Sequence, residues 1–210
     1  MEFKQGFTGL KILFGEDTSK WQYSKPQLSY VTPYYISRKI AELAAEYYPN
    51  KNTIWDMFSG IGMDAIQLAS FFSVYTTEID QDIYNIQRKN ITSLNLEHKI
   101  NTTLADCYTC IETINSDIIF LDPCWGSEYR SNVQFSFKDV YLSNGVSVPE
   151  LFLYILKNKT KNIIIKSPIK CDTFEELIES SGVDMTNYNI QKFLFTKHKL
   201  KFIFIYEKNK

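Results

Sequence analysis

The chain has 210 residues, 44% of them hydrophobic, and a formal net charge of −1, enough for one domain with a sizeable buried core and too apolar for a disordered chain. No apolar run approaches the ~18 residues that cross a bilayer, and residues 1–10 lack a basic segment followed by an apolar stretch. We therefore expect a soluble intracellular protein without a membrane partner, in a nucleus or in a cytoplasm, that of a virus-infected host included.

After an irregular opening, Thr32 and Pro33 predict a helix start, the threonine capping free N–H groups and the proline standing where its missing donor costs nothing. The helix carries an apolar stripe of Ile36, Ile40, Leu43, Ala44 and Tyr47 and stops at Pro49 and Asn50. Strands and helices then alternate. A strand is expected over 53–58, a helix over 63–71, a strand over 74–79, a helix over 82–95, a strand over 100–105, a short helical stretch over 107–113 and a strand over 117–121. A loop over 126–147, a helix over 149–158 and a strand over 162–166 follow. Asp172 and Glu175 predict a capping-box helix that ends at Gly182. Strands over 189–195 and 200–206 are joined by four residues, too few for a crossover helix, so they pair antiparallel.

Repeated βα units imply an α/β fold with a mainly parallel sheet, right-handed crossovers and helices on both faces. The closing hairpin resembles the Class I methyltransferase architecture, a Rossmann-like seven-stranded sheet whose last strand runs antiparallel. The organisation expected is an N-terminal extension over 1–30, a candidate substrate-contacting segment, and one domain over 31–210, as a monomer.

The four cysteines, Cys107, Cys110, Cys124 and Cys171, make no disulfide framework in a chain this long. The C-x-x-C at Cys107 lacks the further soft ligands of a zinc site, since His98 and His198 each stand alone, and no metal is expected. From residue 151 onward eleven lysines stand against six acids. That excess permits a polyanionic partner, and a solvated lysine-rich surface explains it equally well.

In Ile-Trp-Asp-Met-Phe-Ser-Gly-Ile-Gly over 54–62, a strand ends in Asp56 and passes through Phe58, Ser59, Gly60 and Gly62 into a helix. Glycines there let the backbone approach a ligand at the carboxyl ends of the strands. Asp56 suits the cationic amino-acid end of S-adenosylmethionine and would repel a pyrophosphate. The second strand ends Glu78-Ile79-Asp80. Glu78 can accept both ribose hydroxyls; Asp80 is the second candidate for that role and also a candidate helix N-cap. Asp106 closes the third strand, where an acid can accept from the adenine amino group, with Cys107 beside it. Each acid alone reads as a cap or a surface charge. Three at the ends of three consecutive strands after the glycine turn read as a site for S-adenosylmethionine, with Ser59 and Ile79 in its wall.

The fourth strand delivers Asp122-Pro123-Cys124-Trp125-Gly126. This resembles the D-P-P-W/Y/F motif of methyltransferases that modify exocyclic amino groups of bases. Such an amine is a poor nucleophile because its lone pair is delocalised into the ring, so a site must orient it and accept its N–H hydrogens. Asp122, which also borders the cofactor, and the Pro123 carbonyl are the acceptors, and Trp125 offers a stacking face; these three are the candidate catalytic residues.

Within that class the sequence resembles the trimethylguanosine synthases, the RNA cap guanosine-N2 methyltransferases. The family's S-V-T-P, D-x-F-x-G-x-G-x-N-x-I-Q, I-D-I-D and S-P-P-W-G-G-x-x-Y segments read here as Tyr30-Val31-Thr32-Pro33, Asp56 to Gln67, Glu78-Ile79-Asp80 and Asp122 to Tyr129. The resemblance implies that Trp125 stacks on 7-methylguanine, whose positive ring favours an electron-rich indole. It also implies that Thr32, Asp56, Phe58, Glu78 and Asp106 surround the cofactor. For the substrate it adds Tyr129, together with Arg130, Lys166 and Lys170 as cations for cap phosphates; Trp21 is a candidate to close over the cap. Asp122 stands where the family usually has serine, Cys124 where it has a second proline, and Asp64 where it has asparagine.

The function expected is methyl transfer from S-adenosylmethionine to N2 of a 7-methylguanosine-capped RNA. A D-P-P-W-type enzyme acting on another base, at adenine N6 or ribosomal guanine N2, is the alternative. A catalytically inactive binding subunit is the third reading, and the intact acids at Asp56, Glu78 and Asp106 speak against it.

Overall fold

The computed structural model describes residues 7–125, 135–138 and 140–208. Seven strands, mostly parallel and closed by an antiparallel hairpin, carry the α/β fold expected. The chain divides into two compact units, Met1–Cys107 and Tyr108–Lys210.

In the first unit, β1 (Thr53–Asp56), β2 (Ser73–Glu78) and β3 (Ile100–Leu104) are parallel. The registers Asp56↔Thr76 and Glu78↔Leu104 bring the acidic ends of the strands to one edge. Two helices flank β1, α2 (Tyr34–Tyr47) before it and the short α3 (Met63–Leu68) after it. The α2 stripe is buried as its spacing predicts, with Ile36, Ile40, Leu43 and Ala44 all in the core. Between β2 and β3 runs α4 (Gln81–Ser93), whose N-cap is Asp80: its carboxylate accepts from the N–H groups of Asp82 and Ile83.

In the second unit, β4 (Ile118–Leu121) pairs parallel with β5 (Ile163–Pro168), and β7 (Leu200–Glu207) runs antiparallel to β5 and to β6 (Tyr188–Phe195). Two helices, α5 (Val148–Asn158) and α6 (Thr173–Ser180), complete it. Both β4 and β5 are buried along their whole length. Full burial contributes about 1.5–3 kcal/mol for each isoleucine, and Ile163, Ile164 and Ile165 are all at 0% exposure. The strong apolar runs fix β5 as an inner strand.

Three local expectations change. The N-cap of α2 is Pro33, one residue beyond Thr32, and the Thr32 hydroxyl donates to Asp64 Oδ2 at 2.6 Å. Asp172 and Glu175 make no side-chain cap on α6, because their carboxylates are turned to the buried Lys201 ammonium. The capping box forms instead at Ser147 and Glu150, opening α5. The opening of the chain, expected to be irregular, contains α1 (Phe7–Phe14). Here Phe14 is buried and stacks on Trp21 and Tyr23, with centroids 5.3 and 5.2 Å away.

Candidate functional site

The glycine turn joins β1 to α3. Asp56, at 1% exposure, ends the strand and accepts from the Phe58 N–H at 3.4 Å. Gly60 and Gly62 have φ of +52° and +93°, the left-handed region that side chains with a Cβ rarely enter. Among the described residues, a Cβ on Gly60 would meet nothing within 4 Å, whereas one on Gly62 would press on Gln87 Cγ at 3.2 Å. Gly60 thus keeps open space beside the turn, and Gly62 allows α4 to pack against it.

Both oxygens of Glu78 meet backbone donors, Oε2 the Gly60 N–H at 3.0 Å and Oε1 the Asp80 N–H at 2.9 Å. Burial raises its carboxyl above the ordinary carboxylate range, partly offset by these hydrogen bonds. Beside it Ile79 is 56% exposed, an apolar surface at a polar rim. The Ser59 hydroxyl donates to the Thr77 carbonyl at 2.9 Å. Asp106 is half-buried just beyond β3, and Cys107 is buried. The structure therefore gathers Thr32, Asp56, Phe58, Ser59, Gly60, Gly62, Glu78, Ile79, Asp106 and Cys107 into the first unit, on and around its strand ends.

Two residues that hold the turn were not singled out from the sequence. Gln87 and Asn90, both at 0% exposure, lie on the inner face of α4. The Gln87 amide donates to Ser59 Oγ and to the Gly60 carbonyl at 3.3 Å, and accepts from Thr76 Oγ1. Asn90 donates to the Ile61 carbonyl at 2.9 Å and to the Gln22 carbonyl at 3.1 Å, while its oxygen accepts the Gln22 N–H at 2.6 Å. One amide thus ties the N-terminal segment to the glycine turn. The available signal was two amides interrupting the apolar stripe of Ile83, Ile91 and Leu94, where a buried polar group must be satisfied.

In the second unit, Asp122 follows β4 and Lys166 lies in β5. Their side chains form an ion pair, 16% and 4% exposed. The Lys166 ammonium also lies over the Trp125 ring, 5.4 Å from its centroid. Pro123 is buried, Cys124 exposed and Trp125 9% exposed. Lys166, considered for phosphate from the sequence, is turned inward to Asp122 and Trp125, while Lys170 is exposed. Trp21 is a core residue at 7% exposure, since its ring is taken up by Phe14. Tyr129 and Arg130 lie outside the described residues.

Comparison with known structures agrees with the fold. The chain is similar to the METTL16 MTase domain (TM-score 0.61, 14% identity, 87% of this chain and 72% of that one) and to the human methyltransferase 10 domain containing protein (0.60, 13%, 84% and 83%). It is also similar to M. capricolum TrmK in complex with S-adenosyl-homocysteine (0.53, 21%, 81% and 68%). No curated protein matches it by sequence. The family model described as RNA cap guanine-N2 methyltransferase matches residues 51–208. That match takes in the glycine turn, the Glu78 strand end, the Asp122 motif and the closing hairpin, and the chain belongs to the RNA cap guanine-N2 methyltransferase family.

Proposed function

We propose that the protein methylates the exocyclic N2 of a 7-methylguanosine RNA cap. That it is an S-adenosylmethionine-dependent methyltransferase of nucleic acids follows from its family and fold; the proposal concerns the acceptor. The observation that carries it is the Trp125 indole, which follows Asp122 and Pro123 just past the carboxyl end of β4 in a chain of the RNA cap guanine-N2 methyltransferase family.

The residues of the first unit fit the cofactor. Gly60 leaves room beside the turn, and Asp64 Oδ1 is a buried acceptor without a partner among the described residues, suited to a cationic donor. When bound, S-adenosylmethionine supplies an electrophilic methyl on a sulfonium. Asp56 and Asp64 would hold its amino-acid end, Glu78 the ribose and Asp106 the adenine amine.

On the acceptor, the Asp122 carboxylate and the Pro123 carbonyl accept N–H hydrogens of the guanine, orienting the N2 lone pair and taking up the proton that nitrogen sheds. Trp125 offers its ring to the base, and the positive ring of 7-methylguanine suits an indole face. A ring that is 9% exposed in the free protein must be reached by the base. Saturating 7-methyl-GTP is therefore expected to change the Trp125 emission, read as the difference between the wild type and Trp125→Phe.

The test is incubation of the protein and S-adenosylmethionine with the cap dinucleotide m7GpppA, followed by mass spectrometry of the released nucleosides. Methyl gain on guanosine N2 supports the reading. No gain on the cap, with gain on an adenine or guanine of uncapped RNA or DNA, overturns it. Asp122 itself favours that second reading, because an acid at this position is the pattern of enzymes that act on other base amines.

A further inference from the structure

We propose that Lys166 is a positioning residue for base methylation, acting through Asp122, a role that rests on Asp122 being the acceptor for the amine.

Lys166 lies in a strand buried from end to end, between Ile165 and Ser167, both at 0% exposure. A lysine there is expensive to desolvate, and a buried ion pair often stabilises a fold no better than apolar residues of the same volume. Packing alone favours another isoleucine. The register explains where the charge goes. Leu121 of β4 pairs with Ile165 of β5, so Asp122 and Lys166 are the next positions along the two parallel strands, at the carboxyl edge. The ammonium donates to Asp122 Oδ2 and lies over the ring of Trp125. One cation therefore touches two members of the Asp-Pro-Cys-Trp motif, fixing the direction of the carboxylate and placing a charge against the stacking ring.

The other buried lysine of this unit makes the contrast. Lys201 is also 4% exposed, and its ammonium meets the Cys171 carbonyl, Asp172 and Glu175. These partners belong to the start of α6 and to none of the motifs. The same device serves packing there and the acceptor residues here.

The test uses the full-length protein with Lys166→Met, Lys166→Arg, Asp122→Asn and the double variant Lys166→Met/Asp122→Asn. Four quantities are measured: kcat and KM on m7GpppA, S-adenosylmethionine affinity by calorimetry, and Trp125 emission obtained by subtracting Trp125→Phe. Lys166→Met is expected to lower kcat about 100-fold, in the range for a mispositioned acid–base group, with cofactor affinity changed less than about 3-fold. Lys166→Arg is expected to recover at least about 10-fold of that loss. The double variant is expected to be no slower than the slower single variant, because Lys166 acts through Asp122.

A double variant as slow as the product of the singles overturns the proposal. So does a folded Lys166→Met that keeps its kcat, or one whose cofactor affinity falls with kcat. Trp125 emission is read without any acceptor, and Lys166→Met is expected to shift it; an unchanged emission overturns the placement of the cation. If the wild type methylates no cap, the cap reading falls alone, and the four-variant comparison is made on the base that is methylated.

Discussion

The two units of the chain solve the problem of buried polarity in opposite ways. In the first, the glycine turn is held by neutral amides, Gln87 and Asn90, each at 0% exposure and each bonded on both its oxygen and its nitrogen. In the second, the residues proposed to hold the base are organised around a buried ion pair, Asp122 with Lys166. A neutral clamp fixes backbone shape without imposing a field, which suits a turn that must present N–H groups and open space. A buried charge pair fixes the direction of one carboxylate, which suits chemistry on a single amine.

The comparison can be broken most directly at the two acids. Asp122→Ala is expected to lower kcat by about 10²–10⁴, the usual contribution of a positioned acid–base group, while calorimetric affinity for S-adenosylmethionine falls far less than that. Asp56→Ala should do the reverse, abolishing cofactor binding outright. If each variant impairs both functions equally, the division of labour between the units is wrong.

A smaller effect is expected from the clamp. Asn90→Ala leaves the Ile61 and Gln22 carbonyls and the Gln22 N–H without their partner, so urea unfolding should show a loss of about 1–3 kcal/mol, the penalty for orphaned buried groups. Cofactor affinity should weaken with it, because the turn loses its anchor.

Next comes the pH dependence of Glu78. Its folded pKa is raised by burial, so the native state holds this proton more tightly than the unfolded chain does. Its contribution to stability is fully present below the unfolded pKa and is lost as pH rises through the folded value. In the role proposed for it, Glu78 accepts the ribose hydroxyls in its ionised form. Cofactor affinity is therefore expected to be constant above the raised pKa and to fall as pH drops through it, with Glu78→Gln removing that dependence in a calorimetric pH series.

The smallest effect lies away from both sites. Lys199, in the link between β6 and β7, has φ of +54°. Lys199→Gly is expected to raise stability by at most about 1 kcal/mol, since glycine enters this region without strain, and to leave kcat unchanged.

Much of this was legible in the sequence because it is local. The α2 stripe, the alternation of short apolar strands with helices and the four-residue link before β7 follow from periodicity and chain length. Asp80 as an N-cap follows from position alone. Other elements were read wrongly for a physical reason. Asp172 stands at the N-cap of α6 as its position predicts, but the carboxylates of Asp172 and Glu175 meet Lys201, a partner distant in sequence, in place of the capping box. The helix α1 was missed because its pattern is short and its core contact, Phe14 on Trp21 and Tyr23, is made beyond the helix.

By itself the sequence determined the α/β class, the family and the order in which Asp56, Glu78, Asp106 and Asp122 meet the strand ends. These depend on spacing along one chain. Only the tertiary structure decided that Gln87 and Asn90 clamp the turn and that Lys166 belongs to Asp122 and Trp125. The partners in those contacts lie 11 to 68 residues apart for the amides and 44 apart for the ion pair. Propensity and periodicity act over a few residues, and only the register of the folded strands and helices brings such groups within hydrogen-bond reach.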